Sequence, residues 1–204
     1  MRVNKKKFIY LISPNKIYKK FFKDLQKVLE TGKISFFQLR LKKYSFKHKI
    51  LIGQKIKNIC KKNKVKFLIN DDPILAKRLG ADGCHLGQKD MNIKEARKII
   101  GKKIIGITCH NSITLAKIAI KAKASYLAFG AFYSSKTKKT KHVANIKILN
   151  KIKKITKTPI VAIGGINSEN YKNLLLNNAN FLAISGYIWN NKKYKPLEAL
   201  ERLK

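Results

Sequence analysis

A chain of 204 residues with 45% apolar content is long enough to build one sizeable core and is expected to form a single domain over 1–204. No apolar run approaches the roughly 20 residues needed to span a bilayer, and the stretch from Phe8 to Ile12 is broken at Pro14, so no membrane anchor is expected. The formal net charge of +37 raises the question of nucleic acid, but only five of the 47 basic residues are arginine (Arg2, Arg40, Arg78, Arg97 and Arg202), the residue whose flat fork suits phosphates and bases.

The lysines are spread along the whole chain beside many Asn and Ile, the mark of a compositional drift at exposed positions. Specific nucleic-acid recognition is therefore not expected, although a basic face with stacking aromatics would be its signature. Cys60, Cys84 and Cys109 are odd in number and show no CxxC or Cys/His ligand spacing, which argues against a disulfide framework or a zinc site and for reduced thiols in the cytoplasm. The opening MRVNKKK is basic, but too few apolar residues follow it for a secretory signal.

In chain order, the short β-prone runs are Phe8–Ser13, Ile34–Leu39, Lys66–Asn70, Gly83–Leu86, Ile104–Thr108, Tyr126–Gly130, Ile160–Ile163 and Phe181–Ser185. Amphipathic stretches follow them at Tyr18–Leu29, Phe46–Cys60, Pro73–Leu79, Ile93–Ile100, Ser112–Lys121, Ile146–Ile155, Ser168–Leu176 and Leu197–Leu203. This alternation predicts an α/β chain with a parallel sheet, and eight βα units predict a (β/α)8 TIM barrel with short loops. An open doubly wound sheet would carry a glycine-rich turn after its first strand, where this chain has SPNK.

A TIM barrel keeps its chemistry at the C-terminal ends of its strands. Those ends carry Gln38, Arg40 and Lys42, then Asn70, Asp71 and Asp72, then His85, Gln88 and Asp90. Further along come Thr108 and His110, Ser134 to Lys138, Gly164–Gly165, and Ile184 to Gly186. The Gly-Gly turn after strand seven and the Ser-Gly turn after strand eight fit the phosphate site that these two loops commonly form; a tight strand-to-helix turn is the plainer explanation. Asp71 and Asp90, two of only ten acidic residues, stand near Arg40, Lys42 and Lys138, a pattern suited to Mg²⁺ bound by one or two carboxylates and substrate phosphates. The neighbouring Asp72-Pro73 pair suggests helix capping as the competing reason for acids there. His85, on a buried strand, reads as a core histidine with its hydrogen bonds met, and His110 as a more exposed group able to carry a proton.

The ordered motifs QLRLK (38–42), LIND (68–71), GADGCHLGQKD (80–90), GITCH (106–110), YLAFGAFYSSKTK (126–138), VAIGGI (161–166) and AIS (183–185) closely resemble the thiamine-phosphate synthase family, from about Phe8 to Trp189. The resemblance implies a transferase that joins 4-amino-2-methyl-5-hydroxymethylpyrimidine pyrophosphate to thiazole phosphate with Mg²⁺, releasing pyrophosphate. It implies that Gln38, Arg40, Lys42, Asn70 and Lys138 hold the pyrimidine pyrophosphate, with Arg40, Lys42 and Lys138 catalytic through the charge they offer the leaving group. It further implies that Asp71 and Asp90 hold Mg²⁺, that Thr108 contacts the pyrimidine, and that Ser135 and Thr137, with the backbone at Gly165, Ile184 and Ser185, take the thiazole phosphate.

Three departures stand out. Leu41 occupies a position that is commonly glutamate, GAFYSS replaces a GPIFPT-like loop, and Thr108 stands for serine; the hydroxyls at Thr108 and Ser135 survive. A related barrel, a thiazole tautomerase, is the rival: His110 and the stretch 185–188 suit a proton shift, whereas Asp71, Asp90 and Lys138 together have no task in one.

Overall fold

The computed structural model describes residues 8–134 and 143–204. Eight strands, β1 (Ile9–Ile12), β2 (Ile34–Leu39), β3 (Lys66–Asn70), β4 (Gly83–Leu86), β5 (Ile104–His110), β6 (Tyr126–Phe129), β7 (Ile160–Ile163) and β8 (Phe181–Ile184), form a closed barrel in sequence order. Every neighbouring pair is parallel, and β1 closes the ring against β8 with Tyr10 opposite Ala183. The (β/α)8 fold expected from the alternation is therefore present. Around the barrel lie α1 (Phe21–Glu30), α2 (Phe46–Lys62), α3 (Pro73–Leu79), α4 (Ile93–Ile100), α5 (Ile113–Lys121), α6 (Lys147–Ile155), α7 (Tyr171–Leu176), α8 (Gly186–Trp189) and α9 (Pro196–Glu201). None of the described helices is long and apolar enough to cross a membrane.

The two-residue period of a strand sorts its side chains into two apolar layers. One set, including Ile9, Leu11, Phe37, Leu39, Ile69, Cys84, Leu127 and Leu182, packs outward against the helices in the main core. The other, Tyr10, Ile12, Leu68, Tyr126, Ala128, Val161 and Ala183, fills the barrel interior with Phe36, Ile104 and Phe181. The three cysteines are buried free thiols, two of them on strands, and they pack in the main core.

Helix starts follow from local chemistry. The side chains of Ser45, Asp72, Asn92 and Ser112 each accept a hydrogen bond from the backbone N–H three residues on, which satisfies a donor that the first helical turn leaves open. The role foreseen for Asp72-Pro73 is thus met: Asp72 caps α3 and Pro73 opens it.

Some expected boundaries move. The segment from Tyr18 is a turn closed by the Phe21 N–H on the Tyr18 carbonyl, so α1 begins at Phe21. Asn167 Oδ1 accepts from the N–H groups of Glu169 and Asn170, and this local bonding withholds Ser168–Asn170 from α7. β5 continues through a register shift to His110, opposite Phe129. The short helix α8, directly after β8, had no signal in the hydrophobic period because it is only four residues long.

Candidate active site

At the C-terminal ends of β2, β3 and β4 the chain gathers its charges. Lys42 Nζ lies 2.9 Å from Asp71 Oδ2, and Asp71 and Asp90 are close enough for each to shift the other's ionisation. The Gly87 N–H donates to Asp90 Oδ2 at 2.7 Å, which fixes the second carboxylate in its tight loop. The Asp71 N–H donates to the His85 carbonyl at 2.7 Å, so the residue is anchored across β3 and β4. Its φ of 63° is a left-handed conformation that Asp and Asn tolerate better than most residues.

These surroundings pull the two carboxyls apart. Burial raises the pKa of Asp71, but Lys42 and a hydrogen bond from Asp90 outweigh it and hold the group below the ordinary carboxylate range. Asp90 is pushed up by its own burial and by Asp71, against the Gly87 N–H and Lys42. Two bare carboxylates this close repel, and Asp90 gives way first by taking up a proton more readily than an ordinary carboxyl; a cation would relieve the same repulsion. Among the described residues no cluster of three or more His, Cys, Asp or Glu side chains is suited to a metal. Two carboxylates beside Lys42 on the barrel rim nevertheless match Mg²⁺, which keeps most of its shell for water and other oxygen ligands.

Arg40 enters the same group from β2. Its Nη1 donates to Asn15 Oδ1 at 2.9 Å, and its N–H donates to Ser13 Oγ at 2.9 Å, so the loop after β1 aims the guanidinium. Asp71 acts on Arg40 through its charge, and the guanidinium remains a cation although burial lowers its pKa. A cleft of about 340 Å³ opens here, lined by Lys42, Lys49, Asn70, Asp71 and Asp72 among others.

A second group crosses the barrel interior. Gln38, 2% exposed, donates from Nε2 to the Tyr10 hydroxyl at 2.7 Å, and Tyr10 meets the Tyr126 hydroxyl at 2.8 Å. Tyr126 is 2.9 Å from His85 Nδ1, and His85 Nε2 is 2.9 Å from Thr108 Oγ1. Both ring nitrogens of His85, which is half-buried at the end of β4, are therefore engaged. Gln88 donates to the Thr108 carbonyl.

The ends of β7 and β8 are built from backbone. Gly165 has φ 63°, and a Cβ there would lie 2.3 Å from the Ser134 carbonyl oxygen, so only glycine fits against the loop after β6. That loop is held by the Phe132 N–H on Ile163 O and the Tyr133 N–H on Gly164 O, both at 3.1 Å. Asn170 Nδ2 donates to Gly165 O at 3.0 Å and clasps the turn from the far side. Ser185 Oγ donates to Ser13 O at 3.1 Å; the Ile184 side chain is buried in the outer layer, which leaves only its backbone to face the rim.

The structure thus pairs Lys42 with Asp71, brings Arg40 and Asp90 within electrostatic reach of Asp71, and links Gln38 to Thr108 through other side chains. Asn70 is paired in register with His85 at the end of β3. Gly165, Ile184 and Ser185 belong to the β7–β8 side and make no contact with the charged group in the bonds described above. Ser135, Thr137 and Lys138 lie outside the described residues. His110, with φ 52°, is half-buried at the end of β5 rather than on an open loop. Strand-end reading overlooked Tyr10, Tyr126, Ser13 and Asn15. The tyrosines pass for apolar strand residues; a phenol on the inward side of two strands was the signal that could have found them.

The family model described as thiamine monophosphate synthase matches residues 9–188. A thiamine-phosphate synthase of Pelagibacter ubique is 68% identical over 207 aligned positions, covering 100% of both chains, and one of Erythrobacter litoralis is 39% identical, covering 94% of this chain and 92% of its own. Among solved structures, a thiamine phosphate pyrophosphorylase from Pyrococcus furiosus superposes with a TM-score of 0.86 at 28% identity, covering 98% of this chain and 94% of its own. With a barrel of this order, a charged rim at β2–β4 and relatives matched end to end, the chain belongs to the thiamine monophosphate synthase family and is a transferase that forms thiamine phosphate.

Proposed function

We propose that the chain forms thiamine phosphate in a Mg²⁺-dependent coupling of hydroxymethylpyrimidine pyrophosphate with thiazole phosphate at this rim, in the cytoplasm. The observation that carries the reading is the Asp71–Asp90 pair beside Lys42 at 2.9 Å. A proton shift on thiazole phosphate alone has no use for such a group, and the tautomerase alternative finds no support among the relatives.

In this reading Asp71 and Asp90 hold the cation, and Gln38, Arg40, Lys42, Asn70 and Lys138 hold the pyrimidine pyrophosphate. Bound Mg²⁺ supplies charge neutralisation for the departing pyrophosphate. Arg40, aimed by Asn15, and Lys42 place fixed positive charge where the leaving oxygens gain negative charge. Thr108 meets the pyrimidine from β5. Ser135, Thr137 and the backbone at Gly165, Ile184 and Ser185 take the thiazole phosphate and so bring the thiazole nitrogen to the methylene carbon. The methylene–oxygen bond breaks, its electron pair leaves with pyrophosphate, and the nitrogen lone pair forms the new C–N bond. No protein nucleophile is required. Catalysis then rests on positioning two anions, for which effective concentration supplies at most about 7 to 11 kcal/mol, and on stabilising a third as it leaves.

The test is to mix both precursors with the protein, with and without Mg²⁺, and to measure thiamine phosphate and released pyrophosphate. Product that forms equally well after chelation of the metal, or thiazole isomerisation without pyrimidine, would sink the reading.

A further inference from the structure

We propose that Tyr10, Tyr126 and His85 are positioning residues: they form a directed chain of hydrogen bonds through the barrel that sets His85 in its Nε2–H tautomer and makes the Thr108 hydroxyl a donor toward the pyrimidine. The role of the chain rests on the reading above that Gln38 and Thr108 hold that substrate.

The direction follows from counting hydrogens. The Gln38 carboxamide nitrogen can only donate, so the Tyr10 oxygen accepts at 2.7 Å. Tyr10 has a single hydrogen, and its remaining partner is the Tyr126 oxygen at 2.8 Å. Tyr126 must then pass its own hydrogen to His85 Nδ1 at 2.9 Å. A neutral imidazole carries one N–H, so with Nδ1 accepting, Nε2 donates to Thr108 Oγ1 at 2.9 Å. The hydrogen of Thr108 is left to point at a ligand, and the Gln38 carboxamide oxygen is left as an acceptor. An aminopyrimidine, which offers both an amino donor and ring-nitrogen acceptors, suits an acceptor on β2 and a donor on β5.

The surroundings make the chain rigid. Tyr10 is 1% and Tyr126 3% exposed, in an interior otherwise filled by Leu68, Val161, Ala128 and Ala183, so neither phenol has water as an alternative partner. Burial pushes both phenols well above their ordinary pKa, and each keeps its one hydrogen throughout the neutral range. Gly106, on the strand facing Tyr126, makes the room: a Cβ there would sit 1.8 Å from the ring carbon that bears the hydroxyl. The His85 ring lies nearly parallel to that of Tyr126, 12° between planes, which restrains its rotation.

The first test needs no variant. ¹⁵N spectra of the imidazoles in the wild-type protein at neutral pH, with His85 assigned through its backbone, are expected to show Nε2 protonated and Nδ1 bare. An Nδ1–H tautomer reverses the bonds from His85 to Tyr126 and Thr108 and overturns the proposal. The second test grades two substitutions. Tyr126→Phe removes the hydrogen given to His85: the fixed tautomer should give way to a mixture, and KM for the pyrimidine pyrophosphate should rise roughly tenfold while KM for thiazole phosphate stays within about twofold. Tyr10→Phe leaves Tyr126 donating to His85, so the tautomer should persist and KM should rise less. A purely structural role would lower the thermal midpoint in both variants without moving the tautomer or separating the two KM values, and that result would also overturn the proposal. Thr108→Val distinguishes the two readings. If it leaves the pyrimidine KM unchanged while His85 shows Nε2–H, the placement of the pyrimidine fails and takes the positioning role with it, although the bond direction stands. Rescue by Thr108→Ser, with Thr108→Val impaired, supports both.

Discussion

In the proposed reaction the β2–β4 side of the rim and the β7–β8 side would each meet an anionic substrate group, and they are built on opposite principles. The first uses charged side chains: Lys42 and Asp71 paired with each other, Arg40 held by Asn15, and Asp90 held by the Gly87 N–H. The second uses backbone geometry: Gly165 in a left-handed conformation, pressed against Ser134 and clasped by Asn170. Side-chain charge can follow a reaction in which negative charge moves onto a leaving group, because it is strong and long-ranged. Backbone N–H groups give a fixed cradle, suited to a phosphate that does not react. Substitutions on the first side are therefore expected to reduce turnover, and those on the second to reduce binding and stability.

The largest effect is expected from Asp71→Asn. The amide keeps the shape and tolerates φ 63°, so folding should survive, yet a negative ligand is lost beside a departing anion. Coupling should fall by roughly 10²–10³-fold, with a higher Mg²⁺ requirement, as measured by pyrophosphate release across a metal titration. Wild-type rates in both Asp71→Asn and Asp90→Asn would remove the metal site from this rim.

Next comes Lys138, assigned by its place in the matching motif and outside the described residues. Lys138→Ala should slow the reaction at least about tenfold more than Lys139→Ala or Lys141→Ala, because only the first is expected to face pyrophosphate. Equal small losses at all three in steady-state assays would show the register of that loop to be wrong.

Gly165→Ala tests the other side. A Cβ 2.3 Å from a carbonyl oxygen, at positive φ, should cost about 1–3 kcal/mol in a denaturant titration and raise KM for thiazole phosphate more than it lowers kcat. A fall in kcat with KM unchanged would erase the distinction drawn between the two sides.

A smaller effect concerns pH. Asp90 has its pKa raised and Asp71 has its lowered, so between the ordinary carboxylate range and the raised value of Asp90 the pair holds a proton that a cation must displace. Mg²⁺ affinity should therefore weaken as pH falls through that window, with proton release on binding inside it and little above it. Titration calorimetry in buffers of different ionisation enthalpy reads this directly; affinity independent of pH would place the metal elsewhere. The smallest effect is expected from Tyr133→Phe, which removes only a 3.3 Å bond from the phenol to Asn170 O. Stability should change by under about 1 kcal/mol in the same denaturant titration.

The alternation of β-prone and amphipathic segments was enough to establish the barrel, since a strand's period of two and a helix's of 3.6 are local properties. Strands Ile34–Leu39, Lys66–Asn70, Gly83–Leu86 and Ile160–Ile163 fall on the residues that this period marks. The charged rim was legible as well, because acids are scarce in this chain and a barrel sends strand ends to one face. Only the tertiary structure decided the rest. It separates Asp71, paired with Lys42, from Asp72, which caps a helix, although the two are adjacent in sequence. It shows that Gly165 is demanded by a loop more than thirty positions earlier in the chain, and that Gln38 and Thr108 are joined through Tyr10, Tyr126 and His85 on three further strands. Those links depend on which inward side chains meet across a closed ring, a long-range property that no local period carries.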